Sequence, residues 1–403
     1  SLRNDPASIA PERALVFEVA GSITSFFETV RRIAGLEFLA DEETDFEPDA
    51  DFAEEDDRKG RVGEARMDKV VGGRLYLAMP DVAALKQLLS LWDHWRQGEP
   101  LDRGFAPWST VFDNLKALRP WGPQDRIPEE TIVYWRAKLE AAPHDPVRTE
   151  VELWFHESAE ARLNAYSRFR AIVGTSEGLI LDHAVIEEIG YEGALIDLPA
   201  GMVQQLIDRH ALRLAICDDV MFLRPQSTAQ FPTETEPVEP GGEPGPVLAA
   251  VLPPVAALFD GVPVAAHRLL RGRLMIDDPD DLEAMSVVGE RTHGTQMASL
   301  ILHGDRNRSG PALSRRLYVR PVLYAPGNGR REQPRGDRLL IDVIYRAVRR
   351  MKEGDTEGPA TAPDVFLVNL SLGDENRPFS GPMSPWAKLL DMLSERYGIL
   401  FLV

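Results

Sequence analysis

The sequence predicts an α/β protein in which two α+β units of the order βαββαβ precede a parallel sheet. The chain has 403 residues, of which 44% are hydrophobic, enough to fill the cores of two or three domains. Strand and helix patterns recur in a similar order at 14–95 and 149–223. From residue 247 onward, apolar runs that end in Gly or Asp alternate with helical segments, which is typical of a parallel sheet covered on both faces.

The first unit, placed at residues 1–100, begins with the alternating run "ALVFEVA", which predicts a strand. The following "SITSFFETVRRIAG" has apolar residues at helical spacing, with serines available as caps. "GRLYLAMP" then predicts a second clear strand, and "DVAALKQLLSLWDHW" predicts an amphipathic helix that begins at the capping residue Asp81.

An acidic segment interrupts this unit. Residues 41–57, "DEETDFEPDADFAEEDD", hold eleven carboxylates and no base. Such a block repels itself and buries little, so it predicts a solvated loop. A metal-binding acidic loop is the alternative, but the glycine and ligand periodicity of a calcium loop is missing.

The second unit, placed at residues 148–225, repeats the pattern. Its predicted elements are a strand at 149–156, a helix at 158–174 opened by Ser158, two strands around a Gly turn at 184–199, a helix at 201–210 and a strand at 212–223. In both units a strand ends at proline and runs into a helix, as in "LYLAMPDVAALKQLL" and "ALIDLPAGMVQQLI". Units of about 80 residues with this order predict two ferredoxin-like modules. Residues 101–147, rich in Trp and Pro, are predicted to be a helical connector.

The clearest domain boundary is the segment 226–246, "QSTAQFPTETEPVEPGGEPGP", whose composition predicts an exposed linker. The remaining residues, 247–403, are assigned to the parallel sheet.

Charge and cysteine content exclude several classes of function. The net charge of -19 argues against nucleic acid and anionic membranes as partners, since both require a positive surface. The single cysteine, Cys217, allows no internal disulfide and is predicted to be a buried strand residue. No segment has the length and apolarity of a membrane span or a signal peptide, so we expect a cytoplasmic protein. We expect no metal or cofactor, because no ligand cluster is evident.

Candidate functional residues follow the apolar runs, because functional residues of open parallel sheets usually lie at the carboxyl ends of the strands. Asp260 ends "VAALFD" and is followed by a turn. His293 comes 33 residues later, in the first turn of a predicted helix. A third candidate is "VNLSLG" at 368–373. Each signal is weak alone, but a parallel sheet would align all three along one edge.

Four motifs in order resemble those of subtilisin-like serine proteases, the subtilases. "HGTQMAS" resembles their histidine box, and "ALFDGV" with "HRLL" soon after is similar to their aspartate box. "VNLSLG" resembles the strand that holds the substrate, and "YGILFLV" the strand that leads to the oxyanion-hole asparagine. The resemblance covers 247–403 and implies the first part of a subtilisin-like doubly wound parallel sheet.

The resemblance implies a serine endopeptidase acting on peptide or protein substrates. His293 would be the general base, and Asp260 would accept a hydrogen bond from its other ring nitrogen, fixing the tautomer. The backbone of Ser371, Leu372 and Gly373 would pair with an extended peptide.

Two features depart from the family pattern. Gly261 follows Asp260 directly, where the family usually has Ser or Thr between Asp and Gly; Asp277 and Asp278 are the fallback acids. The family order is Asp, His, Ser, and no nucleophile box follows His293 within the 403 residues, so we expect the serine downstream of Val403 and the chain alone to be inactive. The "VGTSEG" around Ser176 precedes Asp260 and is interpreted as a helix C-terminal turn.

Several alternatives stay open. Subtilases often carry a βαββαβ propeptide, so the second unit is either an inhibitory prodomain or a permanent accessory domain that recognises a partner. The protease-like region is either an active enzyme or a non-catalytic module for peptide binding or assembly. Its partners would be the C-terminal remainder of the protein or a regulatory protein. A nucleotide-binding sheet is disfavoured, because no glycine-rich phosphate loop follows a predicted strand.

Overall fold

A computed structural model describes most of the chain. The described residues are 13–53, 65–208, 212–229, 252–305, 311–327, 329–374 and 383–403. They form a mixed α/β architecture with two four-stranded antiparallel sheets and one five-stranded parallel sheet. In the part of the chain that the structure describes, no helix has both the length and the apolar character that crossing a bilayer requires.

The first antiparallel sheet has the strand order β2-β3-β1-β4. Its elements, in chain order, are β1 (Leu15–Ala20), α1 (Phe26–Val30), β2 (Leu36–Phe46), β3 (Val71–Pro80), α2 (Val82–Arg96), α3 (Pro107–Asp113) and β4 (Leu115–Pro120). The predicted cap is present, because the Asp81 carboxylate accepts a hydrogen bond from the Ala84 amide at 2.7 Å. The helices cover one face of the sheet, where Phe17, Phe26 and Trp108 are buried together.

Part of the acidic segment lies in a strand, which corrects the loop prediction. Residues 41–46 continue β2 and pair with β3. Arg74 on β3 forms ion pairs with Asp41 and Glu43, so a cross-strand cation offsets their repulsion. Residues 47–53 have no helix or strand, and the rest of the predicted loop, from residue 54, lies outside the described residues.

The predicted connector supplies the fourth strand of this sheet. Strand β4 lies within 101–147 and pairs antiparallel with β1, burying Leu115 and Leu118 against the helices. Two helices follow it, α4 (Pro123–Arg126) and α5 (Glu129–Ala141). The region is therefore not only helical, and the first βαββαβ series is completed by residues beyond 100.

The second antiparallel sheet has the order β6-β7-β5-β8, with the same connectivity as the first. Its elements are β5 (Val147–Leu153), α6 (Ala159–Thr175), β6 (Leu179–Ile186), β7 (Tyr191–Leu198), α7 (Ala200–Ile207) and β8 (Val220–Pro225). Ser158 caps α6 as predicted, accepting a hydrogen bond from the Ala161 amide. Gly190 has φ 60° between β6 and β7, which suits the predicted Gly turn.

The last strand of this unit is shorter than predicted. Only Val220–Pro225 form β8, and Cys217 is buried in a turn rather than in a strand. The buried guanidinium of Arg126 donates to the carbonyl oxygens of Ala215 and Val220.

The parallel sheet has the order β10-β11-β9-β14-β15. Its region contains β9 (Ala256–Gly261), β10 (Leu274–Ile276), α8 (His293–His303), β11 (Leu317–Leu323), α9 (Leu340–Lys352), the short hairpin of β12 (Gly354–Asp355) and β13 (Gly358–Pro359), β14 (Leu367–Asn369), α10 (Pro385–Tyr397) and β15 (Leu400–Leu402). Helices α9 and α10 cover the face that carries Phe259, and α8 covers the face that carries Leu258. The predicted parallel sheet with apolar faces on both sides is confirmed.

The second unit packs its open sheet face on α9 and α10. Tyr191 and Leu195 of β7 are buried in the same core as these helices. Asp182 accepts a hydrogen bond at 2.9 Å from the amide of Leu339, the residue that precedes α9. Glu188 binds the Tyr345 hydroxyl at 2.9 Å. Apolar burial and hydrogen bonds therefore join this unit to the parallel-sheet region.

The two antiparallel units also contact each other. Trp121, Trp154 and Phe222 are buried between them, and the ring centroid of Trp121 lies 5.6 Å from that of Trp154 and 5.5 Å from that of Phe222. The Trp121 indole donates to the Met221 carbonyl oxygen at 2.8 Å, so its polar atom stays hydrogen-bonded in this interface.

Candidate functional site

Asp260 lies at the carboxyl end of β9, near the middle of the parallel sheet. Its side chain is fully buried. One oxygen, Oδ1, accepts a hydrogen bond from the Gly261 amide at 2.6 Å and lies 2.7 Å from Nδ1 of His293. The second oxygen, Oδ2, has no hydrogen-bond partner among the described residues. The position of Asp260 at the end of β9 therefore directs its carboxylate at the His293 imidazole.

His293 is the first residue of α8, and its imidazole is 13% exposed. The predicted meeting of a strand-end acid and a helix-start histidine is present in the structure. A carboxylate at Nδ1 favours the tautomer with the proton on that nitrogen, which makes Nε2 the proton acceptor.

Glu332 is a third residue of the site, and the sequence analysis missed it. Its side chain is buried, and Oε2 accepts a hydrogen bond from the His293 backbone amide at 2.6 Å. Oε1 accepts a longer one from the Gly294 amide at 3.4 Å. Two of the unpaired amides at the start of α8 thus bind one carboxylate, which fixes the backbone that carries the imidazole.

Burial raises the pKa of Glu332 above the ordinary glutamate value. The hydrogen bonds from the His293 and Gly294 amides oppose this shift, and the nearby Asp260 carboxylate adds to it. Two acids therefore flank the histidine: Asp260 contacts its ring and Glu332 contacts its backbone.

Two glycines let these groups approach. A Cβ atom on Gly294 would collide with the carbonyl oxygen of Gly261, and a Cβ on Gly261 would collide with the Glu332 carboxylate. Gly294 thereby allows α8 to begin directly against β9. The motif that Asp260 resembles usually has Ser or Thr at the next position, where this chain has Gly261. The missing side chain leaves the space that the Glu332 carboxylate occupies.

The fallback acids have other partners. Asp277 accepts hydrogen bonds from the Tyr318 hydroxyl at 2.6 Å and from Arg350 at 3.1 Å. Asp278 accepts from the amides of Leu282 and Glu283, which is a local turn. Neither is hydrogen-bonded to His293, so Asp260 is the acid at the histidine.

The predicted substrate segment directly follows β14. Ser371 donates to Oδ1 of Asn369 at 3.0 Å, Leu372 is buried and Gly373 is exposed. The next residue, Asp374, accepts hydrogen bonds from the Ser227 hydroxyl at 2.6 Å and from the Thr228 hydroxyl at 3.2 Å. The residues that leave the second unit after β8 therefore lie beside the predicted substrate segment.

Ser176 and Ser384 lie at helix ends, and Cys217 is buried. Ser176 ends α6, as predicted, and is buried. Ser384 caps α10 by accepting from the Ala387 amide at 3.2 Å, whereas Ser380 lies outside the described residues. Burial raises the pKa of the Cys217 thiol to about 11, which keeps it protonated and unreactive at neutral pH.

Within the described ranges, no group of three or more His, Cys, Asp or Glu side chains is placed to hold a metal ion. No protein-family model and no curated protein matches the chain. The geometry of the site and the residues themselves therefore carry the functional argument.

Proposed function

We propose that the chain is the first part of a serine endopeptidase of the subtilisin type. The observation that carries this proposal is the 2.7 Å contact between Asp260 Oδ1 and His293 Nδ1 at the carboxyl edge of a parallel sheet. The histidine opens a helix, and the acid ends the neighbouring strand. Both features match what the "HGT" and "FDG" motifs imply, and the nucleophilic serine would be supplied by sequence beyond Val403.

In the proposed reaction, Nε2 of His293 takes the proton of the serine hydroxyl as the oxygen attacks the peptide carbonyl carbon. The imidazolium that forms is stabilised by Asp260, which stays ionised. The same proton then passes to the leaving amine, and the acyl-enzyme is hydrolysed by water through the same base. Glu332 touches no reacting atom and acts as a positioning residue for the helix start.

The second unit is proposed to be a ferredoxin-like prodomain that restrains the enzyme. Three contacts support this role: its sheet packs on α9 and α10, Asp182 binds the amide that precedes α9, and Ser227 and Thr228 bind Asp374 beside the predicted substrate segment. The residues after β8 would thereby block the peptide-binding surface. A permanent accessory domain would keep the same contacts but would not be cleaved from the chain.

A non-catalytic peptide-binding module is the second candidate. The contact of Ser227 and Thr228 with Asp374 favours it, because this contact lies directly beside the predicted substrate segment and needs no nucleophile. Its partner would be a regulatory protein or another segment of the same protein.

A fluorophosphonate probe tests the proposal on the full-length protein. We expect labelling of one serine and hydrolysis of peptides, and we expect both to be lost in His293→Ala. Asp260→Asn should lower kcat by about 10⁴-fold while leaving the fold intact, since the carboxylate fixes the reactive tautomer. The chain 1–403 should not be labelled at a catalytic serine. A correctly folded full-length protein that is neither labelled nor active would support the peptide-binding module instead.

A further inference from the structure

The candidate site contains a buried carboxylate that takes no part in the proposed bond-making steps. Glu332 is 3% exposed and lies in the loop that follows β11. The next residue, Gln333, fixes this loop, because its backbone exchanges hydrogen bonds of 2.9 and 3.0 Å with that of Tyr324. Burying a carboxylate is costly unless its charge is compensated, so a charge held at this place requires a partner of opposite sign.

The start of α8 would by itself be an unfavourable place for a cation. The first amides of a helix have no partner within the helix, and together they carry about half a positive elementary charge. His293 is the first residue of α8, so the imidazolium that forms when Nε2 accepts a proton would meet this positive field. An uncapped helix start would therefore weaken the histidine as a base.

The Glu332 carboxylate occupies this helix start. Its Oε2 accepts a hydrogen bond from the His293 amide at 2.6 Å, and its Oε1 accepts one from the Gly294 amide at 3.4 Å. A full negative charge bound to these amides outweighs their partial positive charge, so the pair together favours the protonated ring. The Asp260 carboxylate, 2.7 Å from Nδ1, acts in the same direction from β9.

The cations of the neighbouring loops oppose this effect only weakly. Arg330 and Arg331 precede Glu332 but are exposed, so water and salt screen their charges. Arg291, two residues before the imidazole, is buried, and it donates to the Glu283 carboxylate at 3.0 Å. Its charge is thus offset by an acid of its own segment.

The acids near the helix start act together with the imidazole. Glu290, which accepts a hydrogen bond from the Gly329 amide at 3.0 Å, adds a further negative charge before α8. Burial raises the pKa of Glu332 most, the two amides lower it, and of the neighbouring charges Asp260 raises it and His293 lowers it. The influence of His293 on Glu332 is one side of a mutual attraction, and the other side is an influence of Glu332 on the imidazole.

We propose that Glu332 strengthens His293 as the base of the proposed reaction, because its carboxylate, bound to the first amides of α8, stabilises the imidazolium that forms. The inference rests on the proposed protease function and adds a residue that governs its proton transfer. Glu332 acts through the histidine, so it is a positioning residue whose charge matters in addition to its hydrogen bonds. No bond is made or broken at Glu332, and the proton moves only between the serine hydroxyl and Nε2.

Glu332→Gln separates the charge from the helix cap. Its amide oxygen can still accept from the His293 amide, but the carboxylate charge is gone. NMR of the imidazole signals in the chain 1–403 measures the midpoint of the ring's titration, and the loss of one signal in His293→Asn identifies it. We expect this midpoint to fall by about one pH unit in Glu332→Gln, because the imidazolium loses a neighbouring anion.

Glu395→Gln is the matched control. It removes one carboxylate at an exposed position on α10, in the same parallel-sheet region, and should leave the His293 midpoint unchanged. A His293 midpoint in Glu332→Gln that equals or exceeds that of the unaltered protein would overturn the proposal and leave Glu332 as a structural cap alone.

The same coupling must be visible at the other group, which gives a test that does not depend on the folding of Glu332→Gln. Carbon-13 NMR follows the titration of the Glu332 carboxyl group in the unaltered protein and in His293→Asn. We expect the midpoint of Glu332 to rise in His293→Asn, because the imidazolium no longer favours the ionised carboxylate. A midpoint that stays the same or falls would contradict the proposal.

Hydrolysis by the full-length protein separates this inference from the proposed function. We expect the acid limb of the kcat/KM profile to move to lower pH by about one unit in Glu332→Gln, with KM unchanged. An unchanged profile in an active enzyme would remove the role of Glu332 and keep the protease. A shifted imidazole midpoint in a protein that hydrolyses nothing would keep the charge coupling and remove the protease.

Discussion

At the scale of single residues, Glu332 couples the candidate site to pH. Burial raises its pKa from the ordinary value of 4.5, so the folded protein holds this proton more tightly than the unfolded chain does. The stability that follows from this shift is fully present below the unfolded pKa. It is lost as pH rises through the raised pKa of the folded state.

Glu332→Gln should remove this dependence. The free energy of unfolding of the unaltered protein, minus that of the variant, should decrease as pH rises from about 4 to 7. Urea unfolding at several pH values measures the difference. Glu28→Gln, the same substitution at an exposed position on α1, provides the control for the loss of one carboxyl group. A constant difference between Glu332→Gln and the unaltered protein would contradict the expected titration.

The sequence could identify two residues of the site and not the third. Asp260 ends an apolar strand and His293 begins an amphipathic helix, so local pattern places both at one sheet edge. Glu332 lies in the charged run "RREQPRGDR", where no periodicity distinguishes it from solvated residues. Its hydrogen-bond partners are backbone amides of another segment. Every residue except proline has such an amide, so the residue types there do not indicate the contact.

At the scale of elements, the site depends on how closely α8 approaches β9. Gly294→Ala should force the helix away from the Gly261 carbonyl oxygen. We expect a loss of about 1–3 kcal/mol in the free energy of unfolding, as in other overpacked sites, and a weaker Asp260–His293 hydrogen bond. Urea unfolding measures the first effect, and the NMR signal of the Nδ1 proton reports the second.

Gly289→Ala is the matched control for this helix approach. A Cβ atom there would meet no neighbouring atom within 4 Å, and the residue precedes α8 by four positions. Its stability and its Nδ1 signal should match those of the unaltered protein. If Gly294→Ala behaved in the same way, the close approach would not matter for the site.

Elements with a clear hydrophobic periodicity and a capping residue can be predicted from the sequence. Strands whose pairing partners are distant in sequence cannot. Helices α2 and α6 begin at the predicted caps Asp81 and Ser158. The sequence does not predict strand β4, because its pairing partner, β1, lies about 100 residues earlier in the chain. The acidic half of β2 has the composition of a loop, because the neutralising Arg74 comes from the neighbouring strand.

At the scale of the whole molecule, the second unit shares its core with the parallel-sheet region. Leu195 and Ile196 are adjacent, fully buried residues of β7 that face opposite ways. Leu195 packs in the core that contains α9 and α10, and Ile196 packs in the unit's own helical core. Truncation of Leu195 therefore tests the interface with the parallel-sheet region, and truncation of Ile196 tests the core of the second unit.

Leu195→Ala and Ile196→Ala should each lower the free energy of unfolding by about 2–5 kcal/mol, because each leaves a buried cavity. Only Leu195→Ala should also speed amide hydrogen exchange in α9 and α10, because it loosens their cover. Equal exchange in those helices for both variants would show that the second unit does not stabilise them.

The dyad and its supporting carboxylate come from three separate stretches of sequence, 33 and 39 residues apart. Each contact requires the intervening chain to close into a loop, which costs conformational entropy. A nascent chain released before Glu332 has been synthesised would present the histidine on an uncapped helix start. The Asp260–His293 contact is thus supported by a residue that the chain supplies only 39 positions after the histidine.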